Sequence, residues 1–162
     1  MLKIGDVVCV QTKGVCEVCG IEKKDMGVFE NEFYVLKPVF IQNNMTIYFP
    51  TNSKVKVRKI VSKKVAEKAI ADFSKIEELL VSQDENRVQF YENIAKECEF
   101  ESSIKLLKHL LKRKSSINKK NIQVQEQKIL SQIESQIIDE LAYVLEKKQE
   151  DIKNEIVETV SM

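Results

Sequence analysis

The residues best suited to chemistry in this sequence are four cysteines and one histidine. Cys16 and Cys19 have the Cys-x-x-Cys spacing of half a zinc site, and His109 lies far along the chain from both. A closed zinc site needs further ligands, usually a second pair, and the sequence has none. On a strand, positions three apart point to opposite faces, so the two thiols would diverge. The pattern predicts reduced thiols, no metal site and no cofactor.

Signatures of catalysis are missing from the sequence as well. His109 has no Ser or Cys nucleophile beside it in a motif, and its neighbours Lys108 and Leu110 indicate a boundary position on a basic helix. The four Gly are dispersed among turns, so none belongs to a loop that could cradle a phosphate. The sequence therefore predicts a binding protein rather than an enzyme, with no small-molecule substrate.

Charge is nearly balanced overall but is segregated along the chain. The 162 residues carry 26 Lys and Arg against 25 Asp and Glu, which excludes a protein that coats nucleic acid by bulk electrostatics. Between Ser102 and Gln125 there are cations and no acid, whereas residues 139–158 hold seven acids against three Lys. The cations of the basic stretch are Lys105, Lys108, Lys112, Arg113, Lys114, Lys119 and Lys120. Their helical spacing fits a track for a phosphate backbone, or a solvated face whose basic end the helix dipole favours.

The elements that must position these residues change character near residue 60. All four Gly and both Pro lie in the first sixty residues, where runs rich in Val, Ile, Phe and Tyr alternate with turn residues. These runs predict the five strands of a small curled antiparallel sheet or barrel. The predicted strands are residues 6–11, 15–22, 32–39, 45–50 and 55–60.

Beyond residue 61 the apolar spacing lengthens to that of helices. Val65, Ala69 and Phe73 recur every four residues, and a longer apolar stripe runs over residues 122–145. Four or five helices are expected, with the tail at residues 151–157 fraying or extending the last one. Breaks are predicted near residues 82–84, 97–102 and 115–118, where Ser, Asp or Asn can cap the following helix.

The two patterns together predict the α+β class, with residues 1–60 as a sheet domain and residues 61–162 as an all-helical domain. The join between them is short and has neither Gly nor Pro, so a fixed orientation is expected. No stretch approaches the roughly 18 apolar residues of a spanning helix, and the opening lacks the apolar core of a signal peptide. The sequence predicts a cytoplasmic protein without a membrane partner.

Several stretches, in order, resemble one family of transcription regulators. Residues 5–8, Gly-Asp-Val-Val, and residues 13–15, Lys-Gly-Val, resemble the opening of the CarD/CdnL regulators. Their sheet domain is similar to the RNA-polymerase-interacting domain of transcription-repair coupling factor. Residues 32–37 and 44–50 look like the family's third and fourth strands, and residues 106–113 and 126–142 look like its basic third helix and its last helix. The resemblance covers nearly the whole chain.

This resemblance implies a fold and a function. The sheet domain is expected to be Tudor-like or SH3-like and to dock on the lobe of the RNA polymerase β subunit. The helical domain is expected to contact the backbone of upstream promoter DNA without reading its sequence, and so to stabilise the open promoter complex.

The fourth strand is the candidate docking edge, because an exposed edge strand can pair with a partner's sheet. Lys24 and Tyr48 hold positions where members of the family often have an Arg that contacts the lobe. Tyr48 either anchors the interface through its ring or fills the barrel. The candidate polymerase-binding residues are Lys24, Met45, Thr46, Ile47, Tyr48, Phe49 and Pro50.

On the helical side the resemblance implies contacts with the DNA backbone. The candidate residues are Arg87, Lys105, Lys108, Lys112, Arg113, Lys114, Lys119 and Lys120. The Trp wedge of many family members has no counterpart, since the matching residues 83–87 read Gln-Asp-Glu-Asn-Arg. The competing hypothesis is an adaptor that binds polymerase or another protein without contacting DNA. High salt weakens backbone contacts steeply and an apolar interface little, which distinguishes the two.

Overall fold

Runs of β-branched and aromatic residues form one antiparallel sheet in this computed structural model, which describes residues 2–25, 27, 30–40, 45–81, 86–116 and 123–161. The strands are β1 (Val7–Val10), β2 (Gly14–Asp25), β3 (Glu30–Pro38), β4 (Ile47–Pro50) and β5 (Val57–Lys59). Their order across the sheet is β4-β3-β2-β1-β5, and all neighbours are antiparallel. The predicted five-stranded sheet is confirmed.

The sheet curls around its own small apolar core. Val8, Val18 and Leu36 are fully buried there, because alternate residues of neighbouring strands point to the same face. The register between β2 and β3 shifts between Val18 and Gly20, as expected of a β-bulge, which bends a strand and increases its twist. A short sheet can in this way enclose a core on one face and present its other face to the helices and to solvent.

The described residues of the helical half form five α-helices and one 3₁₀ turn. The helices are α1 (Lys63–Ala71), α2 (Arg87–Glu97), α3 (Phe100–Ser116), α4 (Val124–Leu145) and α5 (Gln149–Ser161), with the 3₁₀ turn at Phe73–Lys75. The α+β class is therefore confirmed, as is the break at residues 97–102. Residues 82–84 lie outside the described residues, and the break at 115–118 is only partly described. No described helix is long and apolar enough to cross a membrane.

The C-terminal tail forms a helix of its own, so the expectation that it frays or extends the preceding helix is wrong. Helix α4 ends at Leu145, its capping residue Glu146 has a left-handed φ of 54°, and α5 begins at Gln149. Ile152 and Ile156 are four residues apart on α5 and are buried in the helical core. An apolar pair at this spacing gives a short helix one face to bury.

Helix α4 connects the sheet to the other helices. Glu140 of α4 is completely buried and receives a bidentate ion pair from Arg58 of β5, at 2.6 and 2.8 Å. The backbone N–H of Val61 donates to the same carboxylate at 2.9 Å. At the β1–β2 turn, Gly14 has a φ of +74°, and a Cβ placed there would lie 3.0 Å from the carbonyl oxygen of Ser135. Both the conformation and the close approach therefore favour glycine at this position.

Candidate functional site

Strand β4 lies at one edge of the sheet. It pairs with β3, where Tyr34 is opposite Phe49 and Val35 is opposite Tyr48, and it pairs with no other described strand. The side chains of Ile47 and Phe49 pack against the sheet core. Edge strands of this kind offer N–H and C=O groups to which a partner's strand can pair.

Tyr48 points away from the core of the sheet. Its side chain is 43% exposed, which excludes the alternative that it fills the barrel. The ammonium nitrogen of Lys24, at the far end of β2, lies 3.4 Å from the centroid of the Tyr48 ring. A cation held over an aromatic face is attracted by the ring quadrupole, so the contact restricts the ring. The structure thus brings together two of the docking residues that the sequence suggested.

The surface around this pair is partly apolar. Met45 is exposed, Thr46 is exposed, and Pro50 is half-buried. Beneath them, Phe33 and Val35 of β3 share the face of Tyr48 and are nearly buried. We call the outer side of β4, with Lys24, the β4 surface. An exposed aromatic residue beside a cation on an edge strand is suited to a protein partner.

Three lysines along one side of α3 contact a segment that precedes the helix in the chain. We call Lys105, Lys108 and Lys112 the α3 row. Lys105 pairs with Glu77 at 3.3 Å, and Lys112 pairs with Glu78. Between them Lys108 is only 5% exposed and donates hydrogen bonds to two backbone carbonyl oxygens, at 3.0 Å to Ser74 and 2.6 Å to Ile76. We call residues 74–78 the strap.

The strap changes which of the candidate cations are accessible. The hydrogen bond from Lys112 holds the pKa of Glu78 below its usual range, so this acid stays charged against the row. Lys108 is withdrawn as a candidate, because its ammonium is enclosed and its donors are used by the strap. Counting charges along residues 102–125 does not reveal that the lysines are paired. The acids that pair with them lie about 30 residues earlier in the sequence, as the contact between Lys105 and Glu77 shows.

Two of the other candidate cations meet a buried carboxylate. Arg87 of α2 and Arg113 of α3 pair with opposite oxygens of Glu126, at 2.9 and 3.2 Å. Glu126, on α4, is 1% exposed. Because an uncompensated buried charge is costly, both arginines have a structural role in joining three helices. No local pattern along the chain indicates this cluster, which forms only when the helices pack.

His109 lies beside this cluster. Its Nε2 is 2.7 Å from the hydroxyl of Tyr91, which is buried in the helical core. Burial, reinforced by the charge of Arg113, lowers the pKa of His109. The residue is part of a packed interior contact between α2 and α3. Its position at the boundary of a basic helix was predicted, but its partner was not.

The remaining candidate cations differ in how accessible they are. Lys114 is exposed, at the C-terminal end of α3. Lys105 and Lys112 remain partly exposed, and their ion pairs are at the surface. Lys119 and Lys120 lie outside the described residues. Exposed ion pairs are worth about 1 kcal/mol or less, so a phosphate can displace them.

The two thiols of the Cys-x-x-Cys pattern lie in different environments. Cys16 is buried in the sheet, whereas Cys19 is exposed at the bulge itself. In the part of the chain that the structure describes, no group of three His, Cys, Asp or Glu residues is arranged to hold a metal ion. The thiols of Cys16 and Cys19 are therefore not brought together by the fold.

The sequence of the sheet half decides its family. The family model described as the CarD-like/TRCF RID domain matches residues 2–61. Residues 2–61 are similar to the CarD-like/TRCF RID domain, and we call them the RID domain. The match begins just before β1 and includes all five strands, so the RID domain and the observed sheet coincide. No curated protein matches the chain.

The family model concerns the sheet half alone. Domains of this family interact with RNA polymerase. The β4 surface lies on the RID domain, whereas the α3 row and the Glu126 cluster lie beyond the matched residues. The two halves therefore need separate functional arguments.

Proposed function

We propose that this protein docks on the β-subunit lobe of RNA polymerase through the β4 surface of its RID domain. The observation that carries the proposal is the exposed Tyr48 ring on an edge strand, with Lys24 over its face. The strand offers main-chain hydrogen bonds to the lobe, and Tyr48 adds a rigid aromatic anchor. On this proposal the protein acts in the cytoplasm, where its polymerase is.

Replacing Tyr48 with glutamate is expected to weaken binding to core RNA polymerase by roughly 30-fold or more, as for other aromatic anchors at interfaces. Tyr48 is exposed, so the variant keeps its fold, which circular dichroism checks. Calorimetric titration of core polymerase measures the affinity, and competition by the isolated β-lobe locates the contact.

The matched control is Tyr143→Glu, which makes the same change at a tyrosine of α4 that is 37% exposed. It should leave the affinity unchanged. Equal binding by the Tyr48 variant and the original chain would remove β4 from the interface. Loss of binding in the control alone would place the interface on α4.

For the helical half we propose that the accessible cations of α3 hold the backbone of upstream promoter DNA and lengthen the life of the open complex. Lys114 is exposed, and Lys105 and Lys112 can exchange their surface partners for phosphate. The paired Arg87 and Arg113 would then act mainly by fixing the helices that carry these lysines. The second candidate is an adaptor without DNA contact, which the occupied α3 row favours.

Changing Lys105, Lys112 and Lys114 together to Gln is expected to shorten the open-complex lifetime. It should also reduce the salt slope of DNA-dependent binding by about 3, since each of the three backbone contacts releases nearly one counterion. The measurement is the decay of polymerase–promoter complexes at several salt concentrations.

The control for this triple is Lys63, Lys64 and Lys68 changed to Gln, which removes the same charge from exposed positions of α1. A DNA role predicts that only the α3 triple changes the slope. If both triples leave lifetime and slope unchanged while polymerase binding persists, the adaptor is the correct function.

A further inference from the structure

Two thiols meet where the sheet joins the helices. Cys9 lies in β1, and Cys98 follows the last residue of α2, 89 positions later. Both are buried, with relative exposures of 0% and 1%. The Cys98 thiol donates to the carbonyl oxygen of Cys9 at 3.9 Å, and the Cys9 thiol donates to the carbonyl oxygen of Gln136 at 3.7 Å. The fold thus brings one cysteine from each half of the protein side by side.

The backbone at Cys98 is unusual for a residue with a side chain. Its φ of 53° and ψ of 35° are left-handed, a conformation that helix C-termini normally give to Gly or Asn. Glycine would adopt it at lower cost, yet here the position carries a thiol. Strained residues of this kind are held in place by their surroundings and are reasonable places to look for function.

The surroundings of Cys98 favour its thiolate. The Nε of Arg58 donates a hydrogen bond of 2.6 Å to the Cys98 carbonyl oxygen, which places the guanidinium next to the residue. The contact with Cys9 and the charge of Arg58 lower the pKa of Cys98 against the effect of burial, whereas the same contact and burial raise the pKa of Cys9. Because the Arg58 guanidinium lies next to Cys98, we assign Cys98 as the attacking thiol and Cys9 as the resolving thiol.

We propose that Cys9 and Cys98 form a redox-sensitive pair, which a hydroperoxide converts to a disulfide between the sheet and the helices. The Cys98 thiolate attacks one peroxide oxygen and breaks the O–O bond, giving a sulfenic acid and releasing an alcohol or water. The Cys9 sulfur then forms the S–S bond and displaces the hydroxyl of Cys98, which leaves as water with the Cys9 proton. Two thiols are oxidised and one hydroperoxide is reduced, and a dithiol reductant reverses the change.

The bond has a defined structural consequence. Cys9 pairs with Arg58 across β1 and β5, and Arg58 holds Glu140 of α4, so the disulfide adds a covalent link to an existing contact network. It fixes the RID domain relative to α2 and closes a long loop, which restricts the unfolded chain. This inference concerns the joint between the two halves and does not depend on the proposed docking function.

The test uses the full chain with Cys19→Ser, which removes the exposed thiol and with it disulfides between molecules. The folded protein is treated with hydrogen peroxide, quenched by alkylation and mapped by mass spectrometry without reduction. The expected products are a linked Cys9–Cys98 peptide and free Cys16. The thermal midpoint should rise by about 5 °C or more and return to its starting value with dithiothreitol.

Variants and conditions make this test decisive. Cys16→Ser should retain the linked peptide, whereas Cys98→Ser should leave Cys9 as a free thiol. The proposal is overturned if Cys9 and Cys98 both remain reduced, if Cys98 proceeds to sulfinic acid without linking, or if the linkage forms only in urea. It is also overturned if the linked protein melts at the original temperature.

Discussion

Replacing Glu140 with alanine lowers the free energy of unfolding by about 3–5 kcal/mol, the expected cost of leaving one member of a buried ion pair without its partner. The guanidinium of Arg58 loses both oxygens of its bidentate pair, and the N–H of Val61 loses its acceptor. Urea denaturation monitored by circular dichroism gives the change. The lost stability should appear as a lower urea concentration at the midpoint of unfolding, because the ion pair holds the two halves together.

Two further variants separate charge from packing in this prediction. Glu155→Ala removes an acid from a surface pair with Lys147 and should change stability by about 1 kcal/mol or less. Changing both Arg58 and Glu140 to Leu removes the stranded charge, and this double variant should be more stable than Glu140→Ala alone. A Glu140→Ala chain as stable as the Glu155 variant would contradict the importance of the joint.

Changing Ile152 to alanine should cost about 2–5 kcal/mol, as is usual when a large aliphatic side chain is truncated in a packed core. Ile152 is fully buried in the helical core, and α5 packs against α3, α4 and the 3₁₀ turn. The surrounding helices cannot close the resulting cavity completely, so the loss exceeds that of solvent transfer alone. Thermal and urea unfolding measure it.

The neighbouring control is Val157→Ala, at a residue of the same helix that is 38% exposed. Its truncation should cost well under half as much, because its smaller side chain is already partly exposed to solvent. Similar losses for the two variants would mean that α5 contributes to stability through helix formation and not through its buried face. No loss for Ile152→Ala would show that the tail is dispensable.

The strands were predictable because their signals are local. Alternating apolar residues separated by turn residues gave five strands, and the same residues carried the resemblance that the family model confirms for residues 2–61. The sequence left open whether the Tyr48 side chain lies on the inner or the outer face of the sheet. The structure resolved it through the pairing of Val35 with Tyr48, opposite the buried side of the sheet.

The cations of α3 show where local signals fail. Their spacing correctly placed them on one helix, but their partners Glu77, Glu78 and Glu126 come from other segments. A count along the sequence sees an acid-free stretch, whereas the folded chain carries a row that is largely paired. Lys108, the residue in the middle of the predicted track, is the one most enclosed.

The sequence by itself determined the secondary structure of most segments, the α+β class and the RID domain, because periodicity, turn chemistry and motif order are properties of neighbouring residues. Only the tertiary structure decided which charges are free, that the tail packs as its own helix, and that Cys9 meets Cys98 beside Arg58. These outcomes depend on contacts between residues tens of positions apart. Burial and pairing energies at such contacts are set by packing, which no local pattern records.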